Sequence, residues 1–402
     1  MSHRIDRRNF LRLSGAIAAL DATTMAAAPG LAAAAPGTTS TMSAAAPRHR
    51  RPSGLKLGCQ SGPSDAQHFA FFARYGVRNI CGSPTIADPD RVCPTVAELR
   101  QLRETAEKYG ISLDFTDSLL LRSTLVDKEA HPAIVLGDSP QRDRDIEAFQ
   151  TLIRNCAQVG IPAIKYNMSI LGVLRNIQAQ GRGDAQYVGW DLSKTSGQEP
   201  HTRGGVVDAD TFWERITYFL ERVVPVANEY KIRIACHPQD PGVPASGYRG
   251  VNRVLGTVEG LKRFVAIHES PYHGLNFCQG TISEDLADPA KEIFDVIRYF
   301  GLRRKIFNVH FRNIRGHRDK FVETFPDEGD VDMLQAALTY QEVGYEGMLM
   351  TDHVPLVPVH HDSSDLPKDG SEEATTANGH LESFAFGYGY IRAVIQAVER
   401  FG

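Results

Sequence analysis

The 402-residue chain is 42% hydrophobic and 23% charged, which fits a globular protein with apolar material for one large domain or two ordinary ones. A formal net charge of -4, with Lys and Arg scattered rather than gathered in a stripe, argues against nucleic acid or an anionic membrane surface and for a small-molecule site. Six cysteines without a CxxC pair exclude a disulfide scaffold and leave room for one bridge, such as Cys81–Cys93, in an oxidising compartment.

The first segment reads as an address. Asp6-Arg7-Arg8-Asn9-Phe10-Leu11-Arg12 is a twin-arginine pattern, followed by the apolar run Leu13–Leu20 and an Ala-rich stretch through Ala34. That run is too short for a permanent membrane helix. Residues 1–35 are therefore expected to be a signal peptide taken by the Tat translocase. Residues 36–52, rich in Pro, Thr, Ser and Ala, are expected to be a disordered linker. The predicted destination is periplasmic or secreted, with 53–402 as a single domain. This route carries folded proteins, and a metal site exists only in a folded chain, so such export suits a metalloenzyme.

From Leu55 onward, short apolar or β-branched runs alternate with longer stretches of helical periodicity. The expected strands are Leu55–Cys59, Val77–Cys81, Ser112–Thr116, Ala163–Asn167, Ile232–His237, Gly274–Cys278, Lys305–Phe311 and Gly347–Asp352. The expected helices are Asp65–Tyr75, Val96–Tyr109, Asp143–Val159, Thr211–Tyr230, Val258–His268, Lys291–Phe300, Met333–Val343 and Ile391–Phe401. Ser64, Thr95, Asp210, Thr257 and Asp332 are suitable N-caps, and Gly76, Gly110, Gly160, Gly301 and Gly344 suitable stops. Eight βα units with non-alternating strands predict an α/β fold, a closed (β/α)8 TIM barrel. An open doubly wound sheet would want a glycine fingerprint after its first strand, and Gly58-Cys59-Gln60-Ser61-Gly62-Pro63 is not one. The long segments 169–207 and 354–384 follow the fourth and eighth strands, so they read as lids over the barrel mouth.

The last four strands each end on a metal-ligand type: His237, Cys278, His310 and Asp352. Gaps of 41, 32 and 42 residues between them are about one βα unit each, so a barrel would converge them on one point. Singly, each has a plain structural reading as an inert thiol, a core histidine or a capping aspartate. Four at one depth on consecutive strands do not. Two imidazoles, a thiolate and a carboxylate suit Mn2+, Fe2+, Co2+ or Zn2+ rather than Mg2+ or Ca2+. Cys236 precedes His237 on the same strand and must face the other way.

The stretch from His237 to His353 resembles the mannonate dehydratase family of xylose-isomerase-like barrels. The carriers are His237-Pro238-x-Asp240-Pro241, Gly274-Leu275-Asn276-Phe277-Cys278-x-Gly280, His310-Phe311-Arg312-Asn313, Glu323, Gly329-Asp330-Val331-Asp332-Met333, Asp352-His353 and Gly387-Tyr388-Gly389. The resemblance implies a hydro-lyase that removes water from a sugar acid, with Mn2+ (or Fe2+) on His237, Cys278, His310 and Asp352. It implies His353 and Tyr388 as acid and base, with Tyr390 as the alternative to Tyr388. Such an elimination takes a proton from beside a carboxylate and protonates a departing hydroxyl, and both side chains are suitable types. Arg312 could grip the substrate carboxylate in a fork or serve as a rim salt bridge. Gln239, Gly242 and Val354-Pro355 stand where the family has Asp, Pro and Gly-Arg. The first half carries only traces of the pattern, such as Ser118 and Tyr166-Asn167. Rival expectations are an exported sugar isomerase or epimerase, a lyase or hydratase on an oxidised glycoside, and a sugar-binding protein without catalysis. A homo-oligomer is compatible with all of them.

Overall fold

A computed structural model describes residues 52–401 apart from 61, 89, 245 and 359–371, with backbone alone for 372–379. The signal-peptide segment and all but the last residue of the linker lie outside these described residues. Among those described, no helix is long and apolar enough to cross a membrane.

The first half runs β1 (Lys56–Cys59), α1 (Ala66–Arg74), β2 (Asn79–Gly82), α2 (Val96–Glu107), β3 (Ser112–Asp117), α3 (Ala133–Leu136), α4 (Gln141–Val159) and β4 (Ala163–Asn167). An inserted hairpin, β5 (Ile177–Gln180) and β6 (Gln186–Asp191), precedes α5 (Ala209–Tyr230) and β7 (Arg233–His237). Then come α6 (Val258–Ala266), β8 (His273–Cys278), α7 (Gln279–Asp285), α8 (Pro289–Leu302) and β9 (Ile306–His310). A second hairpin, β10 (Ile314–His317) and β11 (Lys320–Glu323), leads to α9 (Met333–Glu342), β12 (Met348–Thr351) and α10 (Glu372–Phe401).

Eight parallel strands close in the order β1-β12-β9-β8-β7-β4-β3-β2, the TIM barrel expected from the alternation of elements. Strand alternation divides the apolar residues between two cores. Cys81, Phe115, Ala163, Ala235, Phe307, Met348 and Met350 fill the barrel interior. Ile164, Tyr166, Ile234, Cys236, Phe277 and Val309 face outward against the helices in the main core. Local signals place the helix ends. Thr95 and Glu98 form a reciprocal capping box at the start of α2. Gly160 ends α4 in the left-handed conformation, at φ 78°.

Several local expectations need correction: among them, Gly301 lies inside α8 and does not end it. Asp65 rather than Ser64 caps α1, and Asp208 rather than Asp210 caps α5. Ser64 Oγ accepts instead from Ser83 N, at 2.9 Å. The last helix starts at Glu372, far before Ile391. Gly387 and Gly389 of the Gly-Tyr-Gly motif lie inside it. A Cβ at Gly387 would meet Thr351 Cγ2 at 2.5 Å, so that glycine lets α10 press onto β12. Cys81 and Cys93 are both free thiols.

The segment after β4 does not act as an isolated lid. Its hairpin joins the hairpin after β9 in a four-stranded antiparallel sheet, β10-β11-β6-β5. An isolated bridge, Gln186–Leu356, ties this sheet to the segment after β12. Both hairpins leave C-terminal strand ends, the barrel face where TIM-barrel active sites form.

Candidate active site

β7, β8, β9 and β12 are neighbours in the barrel, and Cys278 is registered with His310. His237, Cys278 and His310 are the last residues of their strands, and Asp352 lies one past the end of β12. Their ligand atoms all lie within 4.8 Å of one another. His310 Nδ1 stands 3.0 Å from Asp352 Oδ1, and Cys278 Sγ 3.4 Å from Asp352 Oδ2. Cys236 turns outward into the main core, while His237 lines the mouth.

The surroundings suit a metal. Nδ1 of His237 is committed to Pro238 O at 2.6 Å, which leaves Nε2 to donate a lone pair. Burial first, and then the charge of Lys165, push His237 down to about 4, so its ring stays neutral. Nε2 of His310 meets Gln60 Oε1 at 2.9 Å and Asn276 Nδ2 at 3.1 Å, while Nδ1 faces Asp352. Cys278 Sγ accepts from Thr281 N at 3.4 Å and from Thr281 Oγ1 at 3.1 Å, with Arg312 Nη2 at 3.6 Å. Two nitrogens, one sulfur and one carboxylate form a set for a first-row transition ion.

Beside this group lies a second cluster, Asp240, Glu323 and His353, also within 4.8 Å of one another. Arg175 and Arg312 are threaded through it, so it is an ion-pair lattice rather than a second cation site. Arg312 contacts Asp240 at 2.9 Å, Glu284 at 3.0 Å, Asp352 at 3.1 Å, and Glu323. Arg175 binds Asp240 through two nitrogens, at 2.6 and 3.0 Å, and Glu323. Breaking such a buried arrangement by removing one partner costs about 3–5 kcal/mol. Burial would raise Glu323, but His353, Arg175 and Arg312 outweigh it and hold the carboxyl down at about 2. Burial would likewise lower His353, but Asp352 and Glu323 lift it to about 9. His353 is therefore an imidazolium at neutral pH, its Nδ1 bound to Glu323 Oε1 at 2.6 Å.

The site opens as a cavity of about 210 Å³ whose wall includes Gln60, Lys165, Asn167, His237, His310, Asp352 and His353. Two expected participants are elsewhere. Arg312 is buried among carboxylates and absent from this wall, so it orients Asp352 instead of gripping a substrate carboxylate. The close approach is permitted by Gly280, where a Cβ would fall 2.4 Å from Arg312 Nε. Tyr388 is fully buried, its hydroxyl 2.8 Å from Cys59 Sγ and its ring edge-on to Phe71 and Phe72. Tyr390 stacks on Phe386, also away from this wall.

Other residues of the site had no role read from the sequence, though Asn167 and Glu323 stood in the family pattern. Lys165 and Asn167 alternate inward on β4 behind Ala163; the signal for them is a lysine inside an otherwise apolar strand. Arg175 and Glu323 arrive on the two hairpins, and no periodicity marks them. His380 on α10 lies near enough for the charge of His353, after burial, to lower its pKa.

Comparison with known proteins agrees with this geometry. The family model described as D-mannonate dehydratase matches residues 173–366. A mannonate dehydratase of Thermotoga petrophila is 30% identical over 317 residues, covering 70% of this chain and 83% of that protein. The crystal structure of mannonate dehydratase from Streptococcus suis serotype 2 superposes with a TM-score of 0.69 at 22% identity, covering 86% of this chain and 95% of that one. An L-ribulose 3-epimerase structure matches at a TM-score of 0.51 and 15% identity, covering 86% and 96% of the two chains. These two structural matches speak for the barrel, and the Thermotoga match for kinship. A xylose-isomerase-like barrel with a ligand cluster at its mouth, 30% identical to that enzyme over most of the enzyme's length, belongs to the mannonate dehydratase family of metal-dependent hydro-lyases.

Proposed function

We propose that the protein removes water from D-mannonate to give 2-keto-3-deoxy-D-gluconate, with Mn2+ (or Fe2+) held by His237, Cys278, His310 and Asp352. The observation that carries this is the convergence of those four side chains within 4.8 Å of one another, with His237, His310 and Asp352 on the cavity wall beside His353. When bound, the ion supplies Lewis-acid charge beside the substrate carboxylate, where negative charge grows as the C2 proton leaves.

The chain's own residues set up the rest. Glu323 takes Nδ1 of His353, so Nε2 holds the proton that the cavity can receive. That proton goes to the departing C3 hydroxyl, which leaves as water, while the C2 proton passes to solvent water in the open cavity, from which His353 is reprotonated. Arg312 holds Asp352 through Nε while neutralising Asp240 and Glu323. The hairpin residue Arg175 locks the same carboxylates from above the barrel. The twin-arginine pattern supports a further reading, that the folded enzyme is exported by the Tat translocase and works in the periplasm or outside the cell. Cell fractionation of a tagged full chain tests it: protein confined to the cytoplasm contradicts export.

The activity test is direct. Purified protein loaded with Mn2+ is incubated with D-mannonate and assayed for a 2-keto-3-deoxy acid. Product that vanishes on chelation and returns with Mn2+ is expected. Turnover of a keto-sugar in its place would remove the dehydratase reading while keeping the barrel and its metal.

A further inference from the structure

Lys165 is a cation without a partner. It sits in the middle of β4, registered with Asp117 of β3 and Ala235 of β7. Its neighbours Ile164 and Tyr166 face the outer core, so Lys165 points into the barrel above Ala163. The residue is 8% exposed, and what it exposes lines the cavity shared by His237, His310, Asp352 and His353. An ammonium so buried is costly unless something compensates it.

The other buried cations near the site are compensated. Arg312 and Arg175 meet carboxylates, and Arg253 donates to Pro241 O at 2.7 Å. Lys305 donates to Ser270 O at 2.8 Å and pairs with Glu269 at 2.9 Å. Among the described residues, no hydrogen bond or ion pair reaches the Lys165 ammonium. Asp117, the nearest acidic residue by register, receives Ser83 Oγ at 2.8 Å and makes no ion pair with Lys165. With Arg312 consumed by its own carboxylates, this wall offers an incoming anion one unpaired lysine.

We infer that Lys165 is the substrate-carboxylate anchor of this enzyme, the ammonium that selects a sugar acid over the matching neutral sugar alcohol. This rests on the sugar-acid reading above. Asn167, two residues on along the same inward face, extends the anchor with an amide that a neighbouring hydroxyl can meet.

The test uses the full chain loaded with Mn2+, comparing wild type with Lys165→Met and Lys165→Arg. Calorimetric affinities for D-mannonate, D-gluconate and uncharged D-mannitol are measured together with metal content. Wild type is expected to prefer at least one acid over D-mannitol. Lys165→Met should cut that preference by about 10- to 100-fold, the range of a charge-assisted hydrogen bond, with D-mannitol binding and metal content unchanged. Lys165→Arg should keep part of it. An unchanged preference in Lys165→Met, equal weakening for acid and alcohol, loss of metal, or a wild type with no acid preference would each overturn the assignment. Should D-mannonate not be dehydrated while another acid still binds through Lys165, the substrate reading fails and the anchor stands.

Discussion

Asp352 and His353 are sequence neighbours whose surroundings give them different work. Asp352 points at His310 and Cys278, and His353 at Glu323. The same contrast separates Arg312 and Tyr388 from the roles their types suggest. Arg312 is spent on four carboxylates, and Tyr388 stacks at 6.0 Å on Phe384 within the core. Tyr388→Phe is therefore expected to change kcat/KM by less than about tenfold, whereas losing an acid–base group costs roughly 10²–10⁴. Steady-state assays on the folded variant decide between the two, and a loss in the larger range would put Tyr388 in the reaction. Residue type and spacing disclosed which four side chains converge because one βα unit separates each from the next. They could not disclose direction: whether a side chain meets solvent, substrate or an opposite charge depends on elements far away in sequence.

At the scale of elements, the eight barrel strands were legible because each is a short apolar run bounded by helix periodicity. The four strands at the mouth were not. Ile177–Gln180 and Lys320–Glu323 are half exposed and polar, and they become strands only by pairing across two distant insertions. A small cluster of Trp190, Ile314 and Phe321 binds the two hairpins together. The hairpins place Arg175 and Glu323 beside His353, so this cluster positions the site without touching it. Trp190→Ala removes about 3–5 kcal/mol of packing from the cluster. The expected result is faster proteolytic cleavage within 174–192 and 314–323 and a lower kcat/KM, with the barrel's Tm little changed. Melting of barrel and hairpins as one unit would contradict this division.

The whole molecule uses the barrel as a frame that gathers ligands from four adjacent strands, then surrounds them with paired charge. Burial holds His237 neutral, Thr281 and Arg312 surround the Cys278 sulfur, and Arg175 and Arg312 run through the ion-pair lattice. None of this is visible in composition or net charge, since the charges lie together only after closure of the barrel. Metal content of the purified full chain tests the account most directly, for wild type and for Cys278→Ala. The account predicts one equivalent of a first-row divalent ion per chain in wild type, and its loss in a variant that keeps its fold by circular dichroism. Equal metal content in the two proteins would contradict it.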